Sequence, residues 1–158
     1  MQSGEVVTYR SGLVMQLDEL FENWGKDCNI DRAELGNESA RIPQLHFKYF
    51  KMLSTERLLL KKLESEYTIL HKCKWDYYQG IMTLEDLQDR GWEQQPLKIL
   101  KTDLPQYIGS DGDIIKMNQK IAYQKEKIDF LESVIRTINN RGFQIKNAID
   151  WEKFKVGI

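Results

Sequence analysis

The residues best equipped for chemistry lie in one run, His71-Lys72-Cys73-Lys74-Trp75-Asp76-Tyr77-Tyr78. Two ammonium groups beside three large aromatic rings are what an unstructured single strand of nucleic acid needs. Lysines neutralise phosphates, and ring faces stack exposed bases without reading their order. Upstream, Lys51, Arg57, Lys61, Lys62 and Lys72 fall opposite the apolar stripe if the segment is helical, which makes a cationic track. Each feature has a plainer reading. A lysine-rich face can simply solvate a helix, and Tyr77 can belong to the buried stripe. On an ideal helix Lys74 falls on the apolar side, so either the helix frays before Gly80 or Lys74 snorkels outward at an edge.

Catalytic signatures are missing. No GxxxxGK[ST] phosphate loop occurs, and Gly25-Lys26 lacks both the upstream glycine and the following hydroxyl. The two histidines, His46 and His71, stand at no metal-ligand spacing from each other or from a cysteine pair. The carboxylates follow helical surface spacing beside Lys and Arg. The expectation is a binding protein with no catalytic residue, no metal and no cofactor.

Charge is segregated within a net charge of −1. Residues 45–74 carry 7 basic and 3 acidic side chains, and residues 135–158 carry 5 and 2. Residues 1–44, with 4 basic and 8 acidic, and 75–112, with 3 and 7, are acidic. Local basic patches are what meet phosphates, whatever the total. Cys28 and Cys73 form no CxxC, so no disulfide framework is encoded and a reducing cytoplasm is expected. No signal-like leader or membrane-length apolar run is present, which predicts a soluble intracellular protein without membrane contact.

The elements that must position these residues are helical. Leu17, Leu20, Phe21 and Trp24 mark a short amphipathic helix that Gly25 would close, and Asp31 could cap a second over 31–40. The first long helix is expected from Pro43, in its first turn, to Gln79, with Gly80 as its stop. Its stripe comprises Leu45, Tyr49, Met52, Leu59, Leu63, Tyr67, Leu70 and Tyr77, and is broken by Glu56 and Lys74. Residues 81–110 read as connector, with a short helix starting at Thr83-Leu84-Glu85-Asp86. A second long helix is expected over Asp113–Asn139. Ile114, Ile121, Ile128 and Ile135 repeat every seven residues there, Met117, Leu131 and Ile138 fill the alternate sites, and Gln124 is the polar member. Asn140-Arg141-Gly142 would end it before a last amphipathic piece starting at Phe143. Residues 1–14 show no period and read as a disordered extension. The whole is an all-α chain of two long and several short helices whose apolar stripes would pack against copies of itself. On residues alone, the heptads and the near-zero net charge favour a coiled-coil scaffold or adaptor without DNA contact over a nucleic-acid binder.

The segment KCKWDYYQG (Lys72–Gly80) resembles the Lys-x-Arg/Lys-x-Asp-Tyr-Tyr-x-Gly element of the UvsY family, the recombination mediators of T-even-like phages. RGFQIKNAIDWEKF (Arg141–Phe154) is similar to that family's C-terminal element, and MQLDELFENWGKDCNID (Met15–Asp31) to its start. The resemblance runs in order over nearly the whole chain from Met15, which would make Met15 the natural start. It implies a ring-like homo-oligomer, of hexamer or heptamer size, in the host cell cytoplasm. Its partners would be single-stranded DNA, bound without sequence preference, a phage recombinase and a phage single-strand-binding protein. Residues 15–112 would form the DNA-binding region, with the basic pair on Lys72 and Lys74, Trp75, Tyr77 and Tyr78 beside it, and Arg57, Lys61 and Lys62 along the track. The family's Arg at the second basic position is Lys here, a point charge in place of a planar fork. Residues 113–158 would form the oligomerisation region, through Ile114, Ile121, Ile128, Leu131, Ile135, Ile138 and Phe143.

Overall fold

The computed structural model describes residues 15–158; the expected extension over 1–14 lies outside the described residues. Those residues form five helices and no strand: α1 (Leu17–Asp27), α2 (Leu35–Gln79), α3 (Leu84–Arg90), α4 (Leu104–Gly109) and α5 (Gly112–Val156). The all-α expectation holds. The chain divides into two compact units, one built from the described residues up to Leu53 with Asp129–Ile158, the other from Ser54–Ile128. Both units contain residues from either side of position 112, so the expected division there is not a boundary between compact folding units.

In the first unit, α1 opens on a reciprocal capping pair, in which the Gln16 N–H donates to the Glu19 carboxylate at 2.9 Å. Gly25 does not close it. The helix runs to Asp27, whose carboxylate accepts from Arg41 at 2.8 Å, Lys48 at 2.6 Å and the Tyr49 hydroxyl at 2.9 Å. Those three partners favour the two further helical residues beyond Gly25. Asp31 is likewise not a helix cap; its carboxylate accepts from the Ala33 N–H in a turn before α2 begins at Leu35.

Pro43 lies inside α2, not at its start. A proline there removes one ladder bond and crowds the preceding turn, at about 3 kcal/mol. The helix persists because it is anchored on both sides, by Glu38 and Arg41 before Pro43 and by buried Leu45 and Tyr49 after it. The break expected at residues 140–142 is also absent, and α5 is continuous to Val156. Arg141 explains this. It is 1% exposed, donating to the Glu38 carboxylate at 2.7 Å and to the carbonyls of Cys28 and Asn29 at 3.1 and 2.7 Å. Those bonds hold the helix across Gly142, and Leu20, Leu131, Val134, Ile138 and Ile145 supply buried apolar area around them.

In the second unit the facing stretches of α2 and α5 run antiparallel, since Glu56 meets Lys127 while Lys74 meets Asp111. Buried Glu56 accepts from the Lys127 ammonium at 2.7 Å and from the Gln124 amide, which also donates to the Glu56 carbonyl at 2.9 Å. Gln124, the polar member of the isoleucine series, therefore fixes register inside the chain. Its aliphatic neighbours are used in the same way: Ile114, Ile128, Leu131 and Ile138 are buried within the single subunit, and Ile121 and Ile135 half-buried. A seam expected to gather separate copies is thus largely covered by the subunit itself, and of the predicted oligomerisation residues Phe143 stands out at 71% exposed.

Candidate nucleic-acid interface

The C-terminal half of α2 rests on a small core. Leu104 and Ile108 of α4 and Ile114 of α5 are buried together, with Tyr67, Leu70, Trp75, Tyr78 and Ile99 packed against them. Local sequence builds this support. Thr83 caps α3 by accepting from the Asp86 N–H, and Gly91 at φ 67° lets the Trp92 N–H close back on the Leu87 carbonyl at 2.9 Å. Gly80, at φ 72°, ends α2 in the same fashion, with the Ile81 N–H donating to the Asp76 carbonyl.

Lys74 is the keystone of this support. It is 4% exposed, and its ammonium lies 3.0 Å from Asp111, 2.9 Å from Asp113 and 3.9 Å above the centre of the Trp92 ring. Neither fraying nor snorkelling occurs; the charge stays on the apolar side and is neutralised there. Asp111 ties two helices together. One carboxylate oxygen takes Lys74 and the Tyr78 hydroxyl at 2.7 Å, while the other accepts the N–H groups of Asp113 and Ile114 that open α5. Burial works to raise the Asp111 pKa, but the hydrogen bonds from Tyr78, Lys74 and Ile114 outweigh it and hold the carboxyl below its ordinary value. Burial, then the bond to Asp111, push the Tyr78 hydroxyl above the usual tyrosine range.

Lys72 points the other way. It is 70% exposed, and both carboxylate oxygens of Asp76 lie 2.6 Å from its ammonium. At 100° per residue Arg57, Lys61, Thr68 and Lys72 fall within about 60° of one another on α2, so the cationic track leads to this position. There an open groove of about 480 Å³ is lined by Thr68, His71, Lys72, Trp75, Asp76, Gln79 and Ile81. Tyr67, His71 and Trp75 form a column of rings along the helix, with centroids 5.8 and 6.4 Å apart.

The predicted residues therefore separate. Arg57, Lys61, Lys72 and Trp75 share one side, whereas Tyr77 is turned against Trp92 and Tyr78, and the Tyr78 hydroxyl is occupied by Asp111. Lys62, exposed near Glu66 at 3.6 Å, lies about 80° around the helix from Lys72. Asp111, Asp113 and Trp92 escaped the sequence reading, although Lys74 on an apolar face was itself the signal that buried carboxylates had to exist elsewhere. Among the described residues no cluster of His, Cys, Asp or Glu is arranged to hold a metal, and no helix is long and apolar enough to cross a membrane.

Comparison with known proteins agrees with this architecture. The chain is 27% identical over 143 residues to the recombination protein uvsY of Enterobacteria phage T4, covering 90% of this chain and 99% of that one. Crystal structures of the bacteriophage T4 recombination mediator protein UvsY superpose with TM-scores of 0.78 and 0.77 in two lattice types. Sequence identities are 25% and 26%, with 89% and 90% of this chain covered and 99% and 98% of the other. The model of the family described as recombination, repair and ssDNA binding protein UvsY matches residues 23–158. With that match spanning nearly all of α1 to α5, the chain belongs to the UvsY family.

Proposed function

We propose that this protein is a recombination mediator that binds single-stranded DNA without sequence preference and helps load a phage recombinase in place of the single-strand-binding protein. It acts in the host cell cytoplasm, as a binding protein and not an enzyme. The observation that carries the reading is the exposed face of α2, where the Arg57–Lys61–Lys72 track meets the Trp75 ring on a braced support. Lysine and arginine heads take the phosphates, and the ring column offers faces to splayed bases, a combination indifferent to base order. Within residues 15–112, Lys72 contacts the strand directly, as do Arg57 and Lys61 along the track, while Lys62, farther around α2, adds to the positive charge beside it. Lys74, Tyr77 and Tyr78 contribute by holding Trp75 and Lys72 in place.

One subunit offers only a few phosphate contacts, so assembly into a ring of six or seven copies raises the effective concentration of tracks on one strand. Residues 113–158 carry the means. Beyond the residues buried in the subunit, Phe143, Trp151 and Phe154 are exposed within about 80° of one another on the C-terminal part of α5, with Trp151 and Phe154 stacked 5.6 Å apart. Exposed aromatic side chains in such a group mark an association surface. The test is affinity for an oligothymidylate as a function of salt, with native mass measured alongside. Binding that weakens steeply with salt, by a multimer, is expected. A lone subunit indifferent to the oligomer would refute the proposal.

A further inference from the structure

The Lys72–Asp76 pair is an odd one. Its order along the helix, base before acid, is the less favourable of the two i,i+4 arrangements. Asp76 also stands in the last turn of α2, which contains no basic residue and where a negative charge opposes the helix dipole. The pair is therefore a poor device for stabilising the helix. Yet both Asp76 oxygens engage the Lys72 ammonium at 2.6 Å, and both residues line the groove beside Trp75.

We infer that this groove seats one nucleotide of the bound strand, the base against the Trp75 ring and the phosphate on Lys72 Nζ, and that Asp76 is the internal counter-anion the phosphate must displace. This rests on the strand-binding reading and adds a device to it. Trp75 is backed by the Leu104–Ile108–Ile114 core, so it presents a fixed stacking surface. Lys72 is held beside that surface by a carboxylate that occupies the phosphate position in advance. Exchange of one anion for another lowers the net gain per subunit. The strand is then held by many weak, reversible seats, which suits a protein that must hand it on.

A double-mutant cycle on the full-length protein tests this, using anisotropy of a labelled oligothymidylate at low salt. Asp76→Asn should tighten binding roughly two- to fivefold per site, the range set by the strength of an exposed ion pair. Lys72→Ala should weaken binding, and in that background Asp76→Asn should bring no gain. Trp75→Leu should weaken binding about fivefold or more through lost stacking. Unchanged or weaker binding by Asp76→Asn, an equal gain without Lys72, or full affinity in Trp75→Leu would each overturn the inference. A wild-type protein that ignores the oligomer would refute the strand-binding reading itself. Wild-type binding without coupling between Lys72 and Asp76 would refute the seat alone.

Discussion

Two lysines two residues apart should behave as different kinds of residue when each is replaced by alanine. Lys74 is enclosed by Asp111, Asp113 and the Trp92 ring. Removing it leaves Asp111 buried without its cation. Breaking a buried pair from one side costs about 3–5 kcal/mol. Asp111 keeps the Tyr78 hydroxyl and two backbone N–H donors, and Asp113 is half exposed, so the low end, about 3 kcal/mol, is expected for Lys74→Ala. Lys72, exposed and paired at the surface, should cost less than about 1 kcal/mol. Urea unfolding followed by ellipticity, at one protein concentration because assembly shifts apparent stability, reads both. Adding Asp111→Asn to Lys74→Met should recover part of the loss, since the orphaned charge is gone. On DNA the order reverses. Lys72→Ala should lower the salt slope by about 0.7 per lost phosphate contact on a single strand, while Lys74→Met, where folded, should leave the slope unchanged. Equal stability of the two alanine variants would refute this division of roles, as would a slope that falls with Lys74 and not with Lys72.

Acid should destabilise the protein through Asp27 and Asp111. Both carboxyls are held below their ordinary 3.8, for Asp27 by Lys48, Tyr49 and Arg41 against the opposing effect of burial. Their contribution is present above 3.8 and is lost as pH falls through the lower folded values, so Asp27→Asn should flatten the acid limb of the stability profile and an unchanged limb would contradict this. Tyr49 and Tyr78 are shifted the other way, upward from 10.0, so their contribution is complete below that pH and fades as pH rises through the higher folded values. Gly142→Ala should stabilise by about 0.5–1 kcal/mol, because the site is mid-helix and an added Cβ meets only the Ile42 side chain at 4.0 Å; a loss in thermal midpoint would contradict the helix continuity. Trp151→Ser with Phe154→Ser should shift sedimentation toward the single subunit with helix content retained, and an unchanged profile would move self-association to another surface.

The sequence was most legible where its pattern broke. Glu56 and Lys74 interrupt the first stripe and Gln124 the second, and all three are buried with charged or polar partners on the facing helix. A polar residue in an apolar series announces a partner but does not name it, because Lys127 and Asp111 become partners only through the antiparallel register. Punctuation misled for a related reason. Pro43, Gly25 and Gly142 read locally as boundaries, yet Arg141, Glu38 and Asp27 hold the helices across or beyond them with bonds reaching far along the chain. The heptad of Ile114, Ile128 and their neighbours specifies a helix partner, and sequence alone does not distinguish another copy from the chain's own α2. Of the candidate site, the placing of Arg57, Lys61 and Lys72 on one side of α2 was legible from helical spacing. The inward turn of Lys74 and Tyr77 was decided by Trp92 and Asp111, which lie in segments with no period of their own, and by Asp113 in the first turn of α5.

The most direct measurement is photocrosslinking of the assembled protein to a single-stranded oligonucleotide carrying iododeoxyuridine, with the attached peptides mapped. Crosslinks should concentrate on the column Tyr67, His71 and Trp75 and be competed away by unlabelled strands of unrelated sequence. Attachment confined to α1 or to the exposed end of α5, with the column untouched, would place the strand elsewhere and contradict a role for this face of α2.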